Sequence, residues 1–198
     1  MDVVLVGFIG ALGFSGLRRG FVRSVIGLLF VAISFLASAY LRYPLGWVAT
    51  RFAPDIPPDY ANLVGSTIAF PLLLGGLHLA SRTVLNRVKI EGLTKGIDSA
   101  LGLVFGALEA ILILSAVIVI FDAYYRPDTL TIAGTQAGTL KEVAKAFNGS
   151  ETVHLLRGST VPLVVTILGP LLPKDLKDLV PTGLRNGLPS GLGPTPKP

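Results

Sequence analysis

Four stretches of this chain carry almost no charge: residues 3–17, 21–41, 61–84 and 97–121. A helix on a soluble core needs a polar face as well as an apolar one, and runs this uniform offer none. The last three have the roughly 20 residues that cross a bilayer. The first is short, because fifteen residues rise about 22 Å against a hydrocarbon core of about 30 Å. It can still span if Arg18 and Arg19 snorkel to the surface and the bilayer thins. A re-entrant segment is the competing form. Composition agrees: 51% of the 198 residues are hydrophobic and 15% charged, against about 25% charged in soluble domains.

The net charge of +5 does not point to nucleic acid. Lys and Arg sit at the ends of apolar runs rather than on a polar face with interleaved aromatics. The expected partner is a bilayer with anionic headgroups. Basic residues in short loops also set orientation. The first connection has Arg18, Arg19 and Arg23, and the third has Arg82, Arg87, Lys89 and Lys95. The second has only Arg42 and Arg51, beside Asp55 and Asp59. Connections one and three are therefore expected in the cytoplasm, with both termini extracytoplasmic. A secretory signal with 18–23 as its basic region and cleavage near 37–39 fits poorly, since fifteen apolar residues precede the arginines.

After residue 121 the composition shifts: nine of the fourteen prolines fall in this part. Thr139 and Glu142 are spaced as a capping box. Leu140, Val143, Ala144 and Phe147 then follow helical spacing, with Asn148-Gly149 as the stop. A second short helix is expected over 151–157 and a third over 161–168, capped by Ser159 or Thr160 with Pro162 in its first turn. The third is too short to cross, so it should lie at the interface or as a lid on the bundle. Residues 185–198 have a disordered composition. The expected domains are thus 1–121 (membrane), 122–184 (extracytoplasmic tail with short helices) and 185–198.

There is no cysteine, hence no disulfide and no thiolate chemistry. Phosphate-loop, HExxH and GxSxG patterns are missing. Asn148-Gly149-Ser150 matches a glycosylation acceptor, a tripeptide that often arises by chance. No catalytic residue, metal ligand or cofactor is expected, and the chain does not read as an enzyme. Glu109, at the midpoint of the fourth run, stands out. A carboxylate at mid-bilayer is costly unless paired, protonated or wetted, which makes it a functional candidate. His78 could partner it, though it should lie about 9 Å nearer the cytoplasm. Gly102, Gly106 and Ala110 recur every four residues, Gly16 and Gly20 frame the first turn, and Gly7 and Ala11 line the first run. Such faces let helix backbones approach closely. Asp98 suits the N-terminus of the fourth helix or a pairing with Arg18 or Arg19.

The phrases GLRRGFVRSVIGLL and GLTKGIDSALGLVFGALEAILIL together resemble the CvpA family, the colicin V production proteins. Arg19, Gly20, Asp98, Gly102 and Gly106 fall on matching positions, and the likeness covers about residues 2–121. The tail phrase LLRGSTVPLVVTILGPLLP is also similar. The resemblance implies a bacterial inner-membrane protein linked to production or export of the toxin colicin V, and more broadly to envelope physiology. Some relatives carry a protease domain after the last helix; none is expected in the residues that follow 121 here. Glu109 departs from the family pattern, where a basic or small residue is more usual. The expectation is an all-α, four-helix transmembrane bundle with a tail of short helices, acting as an envelope scaffold or export accessory. Its partner is a second copy or an envelope protein. The alternatives are a small transporter or channel subunit that uses Glu109 as its proton or ion group, and an anchor whose tail recruits a partner.

Overall fold

A computed structural model describes residues 1–52, 58–85, 95–124, 142 and 145–172, and among them there is no strand. Four long helices come first: α1 Asp2–Arg19, α2 Phe21–Phe52, α3 Pro58–Leu85 and α4 Lys95–Tyr124. Two short ones follow, α5 Glu151–Gly158 and α6 Thr160–Leu168, and a 3₁₀ turn closes at Gly169–Leu171. The all-α expectation holds.

α1 has Asp2 in its first turn and Arg18 and Arg19 in its last, each charge placed where the helix dipole favours it. It ends at Gly20, whose φ of +84° is open to glycine at little cost. α2 restarts at once, so a single residue joins two long helices. α2 does not stop at residue 41. It runs on through Arg42 and Pro44 to Phe52, a length of about 48 Å. Arg42 is therefore a buried helical residue, 1% exposed, and not a loop charge. Tyr40, Tyr43 and Trp47 are exposed around it, the aromatic signature of a membrane–water boundary. α3 begins with Pro58 and contains Pro71. Arg87, Lys89, Pro54 and Pro57 lie outside the described residues.

Two close pairings build the bundle. α1 packs on α4, and α2 packs along α3, where Gly46 and Gly65 let the backbones meet: a Cβ on Gly65 would stand 2.9 Å from the Gly46 nitrogen. α2 also lies along α4. The N-terminus of α2 touches the first turn of α4 through Phe21 and Asp98, so these two helices run parallel and α1 runs against them. Val31, Phe35, Phe70, Leu114, Ile118 and Val119 form the core between them.

The tail closes one end. Ser150 caps α5 by accepting from the Val153 amide. Ser159 caps nothing, because its hydroxyl donates back to the Leu155 carbonyl at 2.7 Å. Val161, Val164 and Val165 of α6 are buried against the end of α4. Three ties hold the tail. Asp2 accepts from the Ser150 hydroxyl and the Thr152 amide, both at 2.8 Å. Arg157 grips Asp122 with two nitrogens, at 2.9 and 2.5 Å. Tyr40 donates to the Leu171 carbonyl at 2.8 Å. Tyr40 is thirteen residues past Gly27 and Asp122 thirteen past Glu109, two residues in contact, so these anchors share one level of parallel helices. α5 and α6 together are long and apolar enough to form a broken span, bent by 42°. Their anchors lie at the ends of α1 and α4 and beside Tyr40 of α2. Residues 145–148 are helical and Phe147 stacks 5.2 Å from Phe121. Thr139 and residues 185–198 lie outside the described residues.

Candidate functional site

Glycine sets the depth of the site. A Cβ on Gly16 would overlap the Gly102 carbonyl oxygen and stand 2.9 Å from the Gly106 Cα, and one on Gly102 would overlap the Gly16 carbonyl oxygen. The small faces of α1 and α4 are thus in backbone contact within the chain, with Ala110 buried below. Gly13, not Gly7 or Ala11, continues this seam: Gly13 faces Ala107, while Gly7 and Ala11 are exposed.

Asp98 accepts the Phe21 amide at 3.0 Å. It caps the second helix from the first turn of the fourth, pairing with neither Arg18 nor Arg19. Its carboxylate passes over Gly20 so closely that a Cβ there would overlap Oδ2. Gly20 is needed twice, for its φ and for this passage. Nothing in the spacing of the sequence signals that cap, because it joins residues 77 positions apart.

The close α1–α4 seam brings Arg19 inward. Helical side chains lean toward their own N-terminus, so a residue in the last turn of α1 leans into the membrane domain. Its Nε donates to Ser15 Oγ at 2.8 Å, and its Nη1 lies 3.9 Å from Glu109 Oε2. Only Arg18 keeps the outward pose, its guanidinium 4.9 Å over the Phe14 ring. Arg19 thus turns inward rather than snorkelling, while Arg18 stays exposed.

Glu109 is 1% exposed, and its carboxylate rests on Gly27, where a Cβ would stand 2.7 Å from Oε1. His78 closes the other side, with Nε2 3.1 Å from Oε1. The 9 Å offset expected from residue counting is absent, and the contact is direct. The approach lies off the hydrogen-bond line, so Oε1 has the charge contact without an aligned donor. The second ring nitrogen, Nδ1, is 3.2 Å from the Leu74 carbonyl. A carbonyl only accepts, so Nδ1 carries a hydrogen. If Nε2 were also bare and Glu109 ionised, two lone pairs would face each other at 3.1 Å. A proton on Nε2 or on the carboxyl would relieve that opposition.

Large apolar side chains lie on the outside as well as in the core, and several polar ones are enclosed. Val3, Val4, Leu72 and Leu79 are all more than 60% exposed, while Ser24, Ser34, Ser38, Arg42, Ser66, Glu109 and Ser115 are buried. Lipid solvates apolar side chains and drives polar ones inside. α2, α3 and α4 contain segments long and apolar enough to cross a membrane, Phe21–Arg51, Val64–Ser81 and Gly96–Asp122. α1 is 18 residues, with Asp2, Arg18 and Arg19 at its ends. The fold and the inward-facing charge cluster define a helical membrane protein. A family model described as colicin V production protein matches residues 1–160, and the chain belongs to that family. Comparisons with curated proteins and with solved structures find no match.

Proposed function

We infer that this is a multi-pass protein of the bacterial inner membrane that serves as an accessory, not an enzyme, in production or export of a peptide toxin. Family membership supplies the process. The observation that carries the accessory role is the tail held over one end of the bundle by Asp2, Asp122 and Tyr40. A surface presented so rigidly suits a docking scaffold for a second copy or an envelope partner. Both termini face outward in this reading, by the distribution of basic residues.

The test is secretion. In cells lacking the native gene but carrying a colicin V producer, the full chain should restore toxin release to the medium. A form cut after residue 124 should restore less than about a tenth of it while still reaching the membrane. Full restoration by the truncated form refutes the tail as the working part.

A second reading is favoured by one observation, the His78–Glu109 contact inside the bundle. On that reading the chain is a small transporter or channel subunit with Glu109 as its ion-handling group.

A further inference from the structure

Serines in apolar helices ordinarily donate to a carbonyl in the preceding turn. Ser24, Ser38 and Ser81 do so, to Gly20, Phe35 and His78 at 2.9, 2.8 and 2.8 Å. Ser34, Ser66 and Ser115 do not. They are 0, 2 and 0% exposed, and their hydroxyls meet no partner among the described residues. A buried unsatisfied hydroxyl costs about 1–3 kcal/mol. Three of them in one bundle mark places suited to bound water.

Their levels are ordered. Gly27 touches the Glu109 carboxylate and so fixes α2 against its parallel neighbour α4. Ser34 lies seven residues past Gly27 and Ser115 six past Glu109, about 10 and 9 Å along the axes. The two hydroxyls therefore stand at one level, between Glu109 and the tail. Ser66 lies further on, beside Gly65, which faces the Arg42 carbonyl and Gly46. At the carboxylate itself, the Arg19 and His78 side chains keep 32 and 28% exposure against 2% for Glu109. They flank it where α1 and α3 stand apart, each packed on a different helix.

We propose that Glu109 and His78 form an intramembrane proton-exchange site, served from the tail end by the hydroxyls of Ser34, Ser115 and Ser66. This deepens the second reading and rests on it. The transferred species is a proton alone. It leaves the Glu109 carboxyl for water on Ser115 and Ser34, and the carboxylate so formed faces the Arg19 guanidinium. His78 Nε2 takes up a proton as the carboxyl gives one up, so the 3.1 Å contact keeps a proton throughout. No other bond changes. Among the described residues, the groups that face Glu109 are Arg19 from α1 and His78 from α3, while α2 presents Gly27, which does not titrate. Arg157 of the tail is engaged by Asp122, thirteen residues further along α4.

The test uses the full chain in proteoliposomes with a pH-sensitive dye inside and a potassium diffusion potential. The protein should move protons at least about tenfold faster than empty vesicles. E109Q should fall to the empty-vesicle rate, E109D should keep part of it, and S34A/S115A together should lower it several-fold. Wild-type protein no faster than empty vesicles overturns the proposal, as does an undiminished rate in E109Q. A Glu109-dependent sodium or potassium flux without a pH change overturns the proton assignment alone and leaves the channel reading standing. If E109Q does not fold, infrared spectra of the wild type decide. A protonated-carboxyl band should shift in D₂O and fade as pH rises, and a carboxyl signal insensitive to both refutes exchange. Toxin secretion is not read here, so the accessory role stands or falls separately.

Discussion

At the scale of single residues, glycines and acids decide where backbones meet. Gly102 faces the Gly16 carbonyl with no room for a Cβ. Overpacking of a tight contact costs about 1–3 kcal/mol. Gly102→Val should therefore lower the thermal unfolding midpoint in detergent by several degrees, whereas Gly7→Val, where a Cβ meets open space, should leave it unchanged. Asp98→Ala removes the acceptor at Phe21 and should cost about 1 kcal/mol; Asp98→Asn, which keeps an oxygen there, should cost less. Taking away one member of a buried ion pair costs about 3–5 kcal/mol. His78→Leu and Glu109→Leu should each destabilise strongly, and the double variant by clearly less than their sum. Additive losses would mean that the 3.1 Å contact carries no coupling.

At the scale of elements, the tail is held by a few polar ties over an apolar seat. Arg157 makes charge-assisted bonds to Asp122 and a third to Asn148 Oδ1 at 2.9 Å. Bonds to charged groups are worth about 1.5–3 kcal/mol. Asp122→Ala should free Arg157 and speed tryptic cleavage after it by about tenfold, scored by mass spectrometry of timed digests. The Asp2 tie depends on pH. Hydrogen bonds from Thr152 and then Ser150 hold the Asp2 carboxyl far below the ordinary carboxylate range. A lowered folded value means that the stabilisation is full above the unfolded value of about 4. It is lost as pH falls from there toward the folded value. The gap in unfolding midpoint between wild type and Asp2→Asn should thus be constant near neutrality and shrink on acidification below about pH 4.

For the whole molecule, the N-terminus, the end of α4 and the tail lie at one end, and the α1–α2 turn and the start of α4 at the other. Reporter enzymes active only outside the cytoplasm should therefore be active when fused after residue 124 and near residue 57, and silent near residue 89. A silent fusion after 124 with an active one near 89 would reverse the orientation drawn from Arg18, Arg19 and Arg23. The four apolar runs were legible because lipid demands long uncharged helices, and each run contains the core of a long helix. The ends of α2 were not, because Arg42 and Pro44 read as a loop. Arg42 is helical with its side chain buried in the bundle, which is a tertiary fact.

The sequence by itself determined the helical membrane class, the Gly-rich seam and the solitary glutamate, since each follows from local composition and helical period. Which glycine meets which, and what faces Glu109, depended on helix register and tilt. Residue counting along separate helices put His78 about 9 Å away, while the packed bundle puts its nitrogen 3.1 Å from the carboxylate. The glycine contact draws α1 against α4, the lean of the last turn carries Arg19 inward, and Gly27 leaves space for the carboxylate. These are long-range contacts, set by close packing between segments that no sequence spacing links.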